Sequence, residues 1–230
     1  MPYILYLETA THVCSVAIAK NDRLIAIKET SIENSHSSLI TVFVEEVIQE
    51  AKIQFTDLNA VCVSMGPGSY TGLRIGVSSA KGFCYALNIP LIAVNTLQSM
   101  ANSYIQKNLA EITEATLLCP MIDARRMEVY SAIFNKDLDF IRITKADIVE
   151  ENSYQEYLNN NSLIFFGNGA EKCESLLSKN PHTIFDKDFV PSAKGMISLA
   201  LEKYKKQEFE NLAYFEPYYL KDFIATTPKK

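Results

Sequence analysis

Hydrophobic and polar positions follow two different periods along the first hundred residues. Short apolar runs predict five β-strands, over residues 3–7, 14–19, 24–28, 60–63 and 91–94. Apolar residues at helical spacing predict helices over residues 38–52, 71–87 and 97–105, the last capped by Thr96. Leu39 and Val42 widen the apolar face of the first of these helices, which indicates a second buried surface on it.

The same order of elements restarts after a polar stretch near residues 106–116. A strand over 117–122 ends in Asp123, a strand over 128–134 follows, and a third leads into a Gly-x-Gly turn and a helix. Glu8 and Asp123 end equivalent strands, 123 − 8 = 115 positions apart. Shared order predicts a duplicated α/β domain, although chance similarity of two α/β halves remains an alternative. We expect halves at 1–105 and 106–230, with a final helix near 191–207 that packs on its own half or back on the first.

One helix carries an unusual row of small residues. It follows a buried strand and the turn Gly66-Pro67-Gly68, and Ser69 or Thr71 can cap it. The small residues recur every fourth position, at Gly72, Gly76, Ala80 and Cys84. Because a helical glycine costs up to about 1 kcal/mol relative to alanine, we expect close packing along this row. Its neighbour is either the protein's own sheet or a helix of another subunit.

Charge and cysteine content narrow the class of protein. The net charge of −5 argues against a protein whose main role is to bind nucleic acid or an anionic membrane, although residues 226–230 are basic. The five cysteines form no CxxC motif and lie mostly in apolar runs, which favours buried thiols in a reducing compartment. No apolar run approaches the roughly 20 residues of a membrane span. We therefore expect a cytoplasmic protein.

The two Gly-x-Gly turns raise the question of phosphate binding. A glycine turn before a helix points backbone N–H groups at one spot, which suits an anion. The P-loop and dinucleotide fingerprints are both absent, since Thr71-Gly72 stands where a P-loop needs Gly-Lys. The candidate phosphate or nucleotide residues are Glu8, Thr9, Gly66, Gly68, Ser69, Asp123, Gly167 and Gly169. The alternatives are that the glycines only turn and pack the chain, and that Asp123 forms an ion pair with Arg125 or Arg126.

Five segments resemble the TsaB (YeaZ) family, the dimerisation subunits of the bacterial machinery that makes tRNA threonylcarbamoyladenosine. The segments are Leu7–Thr11, Cys14–Ile18, Met65–Gly76, Ile122–Tyr130 and Pro217–Lys221. The resemblance implies the fold of the actin-like ATPase, Hsp70 and sugar-kinase (ASKHA) superfamily, an α/β fold with two RNase H-like halves. One departure is Glu8, where many relatives have Asp, and the longer side chain speaks against direct metal–phosphate binding.

The resemblance also implies a role without catalysis. In this family's pathway a paralogous catalytic subunit transfers the threonylcarbamoyl group to tRNA and holds its metal with an HxxxH motif. This sequence keeps His36 but has Ile40 four residues later, so no metal and no cofactor are expected, weak nucleotide binding aside. The expected partners are the catalytic paralogue, an ATPase subunit of the same complex, tRNA indirectly, and a second copy of the chain through the same helices. No membrane partner is expected.

The resemblance places the partner on two helices, 38–52 and 71–87, which would form a four-helix bundle with the catalytic subunit. The implied interface residues are Leu39, Val42, Phe43, Glu46, Gly72, Ile75, Gly76, Ser79, Ala80 and Phe83. Small residues facing large ones would give ridge-into-groove packing. The competing interpretation is an ATP-binding phosphotransferase of the sugar- or acetate-kinase type. A metallopeptidase ranks last, because the sequence lacks its ligands.

Overall fold

Two five-stranded sheets organise the chain. The computed structural model describes residues 1–32 and 36–221; residues 33–35, in the polar loop before the first helix, and the basic tail at 226–230 lie outside the described residues. The elements of the first half are β1 (Tyr3–Glu8), β2 (Cys14–Lys20), β3 (Arg23–Thr30), α1 (His36–Ala51), β4 (Leu58–Gly66), α2 (Tyr70–Leu87), β5 (Leu91–Asn95) and α3 (Thr96–Asn108).

The second half repeats the strands but shortens the helices. Its elements are β6 (Thr116–Asp123), β7 (Glu128–Phe134), β8 (Phe140–Ile148), α4 (Gln155–Leu158), β9 (Ser162–Phe166), α5 (Glu174–Leu177), β10 (Thr183–Asp186) and α6 (Ile197–Lys206). Single 3₁₀ turns precede β4, α5 and α6. The helix predicted after Gly167-Asn168-Gly169 is reduced to the turn Glu171–Cys173 and the four-residue α5.

The strand order is the same in both sheets. It is β3-β2-β1-β4-β5 in the first sheet and β8-β7-β6-β9-β10 in the second. In each sheet the first three strands of this order are antiparallel, and the last three are parallel. Strand β6 thus occupies the place of β1, and β9 the place of β4. The duplication that the sequence order predicted is confirmed at the level of sheet topology.

Two helices are exchanged between the halves. Helix α3 continues from the first sheet but packs on the second, where Met100 and Tyr104 lie against Phe166. Helix α6 packs on the first sheet, where Ile197 and Ala200 lie in one apolar cluster with Tyr6. Asn102 joins the exchanged helices, because its side-chain amide donates to the Gly195 carbonyl at 2.7 Å and to Ser198 at 2.8 Å.

Several predicted details differ in the structure. Asn95, not Thr96, caps α3, since its side chain accepts from the Gln98 N–H; Thr96 is instead buried and accepts from the Gly66 N–H. Helix α1 begins at His36, two residues before the predicted start. The edge strand β8 was not predicted; Ile141 and Ile143 alternate there with polar residues, but both isoleucines are exposed and Thr144 is buried, the reverse of the usual arrangement. No helix within the described residues is long and apolar enough to cross a bilayer.

Candidate functional site

A cleft of about 480 Å³ lies between the two halves. Both halves line it, with residues that follow β1, begin α1 and α2, and end β6. The lining residues are Ala10, Thr11, His12, His36, Ser37, Ser69, Thr71, Gly72, Ile75, Ile122, Asp123 and Asn168. Of the candidate phosphate residues, only Ser69 and Asp123 line this cleft.

The Gly-x-Gly turns are packed against the strand ends. A Cβ at Gly68 would overlap the carbonyl oxygen of Ala10, and one at Gly169 would lie 2.8 Å from the carbonyl carbon of Ile122. The N–H of Ser69 donates to Ala10 O at 2.7 Å, and the N–H of Gly169 donates to Met121 O at 3.1 Å. These two N–H groups are therefore already bonded within the chain. The structure favours the packing alternative, and a phosphate role stays a prediction.

At position 66 glycine is required by the backbone conformation of the turn. Its φ of +116° is rarely adopted by residues with a side chain, and a Cβ there would lie 2.8 Å from Tyr218 O. The Tyr218 N–H donates to Met65 O at 2.7 Å, so the C-terminal segment is laid directly on this turn. Gly167 also has a positive φ, +93°, and its Cβ would meet Met121 O at 2.5 Å. Both glycines serve the backbone of the turn.

Glu8 is sealed beneath the cleft and does not line it. Its side chain is 1% exposed, and Oε1 accepts from the Ala10 N–H at 2.7 Å and from Ser64 Oγ at 3.0 Å. Burial raises the pKa of Glu8 to about 7, and the bonds from Ala10 and Ser64 oppose that rise. Thr9 is also buried and donates to the Gly72 carbonyl at 2.8 Å. Of the two carboxylates that end equivalent strands, only Asp123 therefore reaches the cleft.

Asp123 is held in an ion pair, as one alternative proposed, but with a different partner. Lys172 Nζ contacts its carboxylate, and the Arg125 N–H donates to the same oxygen at 3.0 Å. The guanidinium groups of Arg125 and Arg126 are not the partners. Sequence spacing could not find Lys172, because the two residues are 49 positions apart.

His36 lies at the cleft but is bound to the protein. It is 7% exposed, and its Nε2 is 3.1 Å from Val13 O. Ile40, four residues later, is buried in the core of the first half. Among the described residues, no three His, Cys, Asp or Glu side chains lie together in an arrangement suited to a metal ion.

The small-residue row on α2 faces inward. A Cβ at Gly72 would overlap Thr9 O, and one at Gly76 would overlap Thr9 Oγ1. Ala80 and Cys84 are 0% and 1% exposed. The prediction that Gly72, Gly76 and Ala80 are a vacant surface for a partner helix is therefore wrong. The end of β1 already occupies that space.

A second small-residue row on α2 faces solvent. It consists of Ser78, Gly82 and Ala86, again four residues apart, and all three are exposed. Within the part of the chain that the structure describes, a Cβ at Gly82 would meet no atom within 4 Å. The sequence contained this row, but two such rows on one helix give no local signal of which one faces the sheet. Gly82 is the residue that sequence reasoning missed.

An apolar surface lies beside this row, and we call it the α1–α2 face. Helices α1 and α2 contact each other, and their outer sides carry partly exposed side chains. Val42, at 42%, and Gly82 are exposed, and the other members are half-buried. The members of the α1–α2 face are Leu39, Val42, Phe43, Glu46, Ile75, Ser79, Gly82 and Phe83. The predicted interface residues other than the inward row thus remain accessible.

Comparisons with known proteins agree with this architecture. The family model described as TsaD, tRNA N6-adenosine threonylcarbamoyltransferase, matches residues 30–229. The tRNA threonylcarbamoyladenosine biosynthesis protein TsaB of Escherichia coli K12 is 30% identical over 230 residues, covering 96% of each chain. The TsaB of Buchnera aphidicola from Acyrthosiphon pisum is 28% identical over 210 residues, covering 89% of this chain and 90% of that protein.

Solved structures give the same fold. YeaZ from Pseudomonas aeruginosa superposes with a TM-score of 0.81 at 23% identity, over 96% of this chain and all of that one. The activator of 2-hydroxyisocaproyl-CoA dehydratase from Clostridium difficile, solved with bound ADPNP, gives a TM-score of 0.51 at 11% identity, over 91% and 98%. The fold is that of the ASKHA superfamily, as expected. The chain belongs to the TsaD-type family and, within it, to the TsaB (YeaZ) proteins of tRNA threonylcarbamoyladenosine biosynthesis.

Proposed function

We propose that this chain is a non-catalytic scaffold subunit that binds the catalytic threonylcarbamoyltransferase subunit through the α1–α2 face. The single observation that carries the proposal is Gly82. An exposed helical glycine costs up to about 1 kcal/mol relative to alanine, and no atom of residues 1–32 and 36–221 lies within 4 Å of the missing Cβ. A neighbouring helix from another subunit would make use of it, because small residues let two backbones approach closely.

The apolar side chains around Gly82 support the same assignment. Val42 is 42% exposed on α1, and Ile75 and Phe83 are half-buried on α2. Phe83 stacks on Phe55, with ring centroids 6.2 Å apart, so its position is fixed from within the protein. Large fixed side chains flanking a small-residue row form the ridges and groove that a helix pair needs. A second copy of this chain would use the same face when the catalytic subunit is absent.

The cleft offers little support for catalysis by this chain itself. Glu8 is sealed off, Asp123 is paired with Lys172, and His36 contacts the Val13 carbonyl. We therefore assign the transfer chemistry to the catalytic subunit and the ATP hydrolysis to an ATPase subunit of the same complex. We place the assembly in the cytoplasm, and tRNA reaches this chain through the complex.

The test replaces Gly82 with two residues of different size. Gly82→Leu should leave the fold intact, because the Cβ position is open, and should reduce binding of the catalytic subunit at least tenfold. Gly82→Ala is the matched control and should bind within a few-fold of wild type. Binding is measured by co-elution and calorimetry, with circular dichroism to confirm folding. Equal binding of Gly82→Leu and wild type would reject this face.

A second candidate function rests on the cleft itself. A space of about 480 Å³ between the halves of an ASKHA fold is where an ATP-binding phosphotransferase would hold its nucleotide. Under that hypothesis the isolated chain binds Mg-ATP with micromolar affinity and releases phosphate. Calorimetry and a phosphate-release assay on the purified chain decide between the two functions.

A further inference from the structure

The loop between β6 and β7 holds two arginines in an unfavourable backbone conformation. Arg125 has φ 71° and Arg126 has φ 50°, the left-handed region that glycine and asparagine fill most readily. The β2–β3 turn of this protein follows that preference, with Asn21 at φ 55°. At the β6–β7 loop the chain instead uses two long cationic residues in succession. Backbone strain of this kind is a reason to look for a function.

The positive charge of both arginines is unmatched by carboxylates. Each guanidinium belongs to an exposed residue, and neither forms an ion pair within residues 1–32 and 36–221. The two nearest carboxylates along the chain are already paired with lysines. Asp123 is bound by Lys172, and Glu128 by Lys221 at 2.5 Å. The loop is therefore a local positive site on a chain whose net charge is −5.

Hydrogen bonds from the second half of the protein fix the backbone of the β6–β7 loop. Lys172 Nζ donates to the carbonyl oxygens of Arg126 and Glu128, both at 2.7 Å. The Val149 N–H donates to Met127 O at 2.9 Å. Because these bonds fix the backbone, the two side chains are presented with little further loss of backbone entropy on binding a ligand.

The surroundings of the loop suit RNA. Asp123, which precedes it, and Asn168, which accepts the Asp123 N–H at 3.2 Å, line the cleft between the halves. The half-buried Tyr130 follows the loop on β7, where it pairs with Ile122, another residue that lines the cleft. Arginines beside an aromatic ring are the combination that contacts phosphates and stacks on an unpaired base.

We infer that the loop Ala124–Met127 binds backbone phosphates of RNA through Arg125 and Arg126 when the chain is part of its complex. This inference rests on the proposed function, because an acidic chain alone would hold RNA poorly. A guanidinium forms paired hydrogen bonds with a phosphate, so two arginines contact one or two phosphates. Such a contact would fix the position of the RNA backbone but would not distinguish one RNA sequence from another.

The decisive variant replaces both arginines with the residues that the turn prefers, Arg125→Asn with Arg126→Gly. The melting temperature of the isolated chain should rise by a few degrees, because the backbone strain is removed. The tRNA affinity of the reconstituted complex should fall, and the slope of log K against log salt should become shallower by about 1.4 to 1.8 units. A variant that is more stable yet binds RNA less well cannot be explained by misfolding.

The control removes two positive charges elsewhere, in Arg23→Gln with Lys205→Gln, both exposed residues. It should leave the salt slope within error of wild type. An equal change of slope in the control and the loop variant would overturn the inference, because net charge alone would then explain it. An unchanged slope in the loop variant would overturn it as well.

Co-elution with the catalytic subunit separates this inference from the proposed function. If wild type and the loop variant both co-elute and only RNA binding changes, both proposals stand. If both co-elute and RNA binding is unchanged, the loop inference fails and the scaffold role survives. If only the variant fails to co-elute, the loop binds an acidic protein partner and the inference is wrong. Failure of the wild-type chain to co-elute would overturn both the scaffold proposal and the loop inference. If the loop variant lost only the binding of ATP or inorganic phosphate, the loop would be a small-anion site and the RNA inference would be wrong.

Discussion

The loop after β1 and the loop after β6 occupy equivalent places in the two halves, yet they are built in opposite ways. Thr9 and Ala10 in the first loop are buried under α2, which begins directly above them. Arg125 and Arg126 in the second loop are exposed, because only a 3₁₀ turn and a four-residue helix follow the second glycine turn. The length of the helix after the turn thus decides whether the strand end is sealed or presented to solvent.

Because of this difference, the two halves expose different kinds of surface. The first half has two long helices whose inner sides close the strand ends and whose outer sides form the α1–α2 face. The second half leaves its strand end accessible and supports it with Lys172. The two proposals accordingly use different halves, the partner subunit on the α1–α2 face of the first and RNA on the β6–β7 loop of the second.

The largest expected effect tests how tightly the first loop is sealed. Gly72→Ala places a Cβ onto the Thr9 carbonyl, a backbone atom that cannot move aside, and should lower the free energy of unfolding by about 3 kcal/mol. Urea denaturation gives the value. Gly82→Ala, on the same helix but in open space, should raise the stability by about 0.5 to 1 kcal/mol. Equal effects of the two changes would contradict the inward packing of the Gly72 row.

The next effect is on the pH dependence of stability, and it compares Glu8 with its equivalent, Asp123. Because burial raises the pKa of Glu8 to about 7, the folded state binds more protons than the unfolded state between pH 4.5 and 7. Stability should therefore fall as the pH rises through this range, by on the order of 3 kcal/mol if no other group compensates.

Glu8→Gln should flatten that pH dependence while keeping the acceptor for Ala10 and Ser64. The exposed Asp123→Asn, which also removes one carboxylate, is the control for the change in net charge. Chemical denaturation at several pH values measures both. A slope unaffected by Glu8→Gln would show that this carboxyl is not the source.

The smallest effect compares the second glycines of the two turns. A Cβ at Gly169 would lie 2.8 Å from Ile122 C, whereas one at Gly68 would overlap Ala10 O. Gly169→Ala should cost about 1 kcal/mol, and Gly68→Ala should cost more, because its backbone neighbour is closer. Thermal unfolding of both variants ranks them. The reverse order would mean that the second loop is the more tightly packed of the two.

Local sequence patterns predicted the long helices and every strand except β8 and β10, since these elements depend on residues a few positions apart. The β7 prediction, for example, matches Glu128–Phe134 at both ends. The sequence could not show which face of α2 packs on the sheet, because this helix carries one small-residue row through Gly76 and another through Gly82. The partner of Asp123 was not predictable either, as Lys172 comes from a distant turn. Asn95 and Thr96 are both good caps, and only the packed structure decides between them.

The exchange of α3 and the C-terminal helix has a consequence for how the chain can be divided. Helix α3, from the first half of the sequence, covers the second sheet, and helix α6, from the second half, covers the first sheet. A protease cut within residues 109–115 should therefore release no free fragment, because each piece holds part of the other's interior. Separate expression of the two pieces should give insoluble products that become soluble only when they are made together.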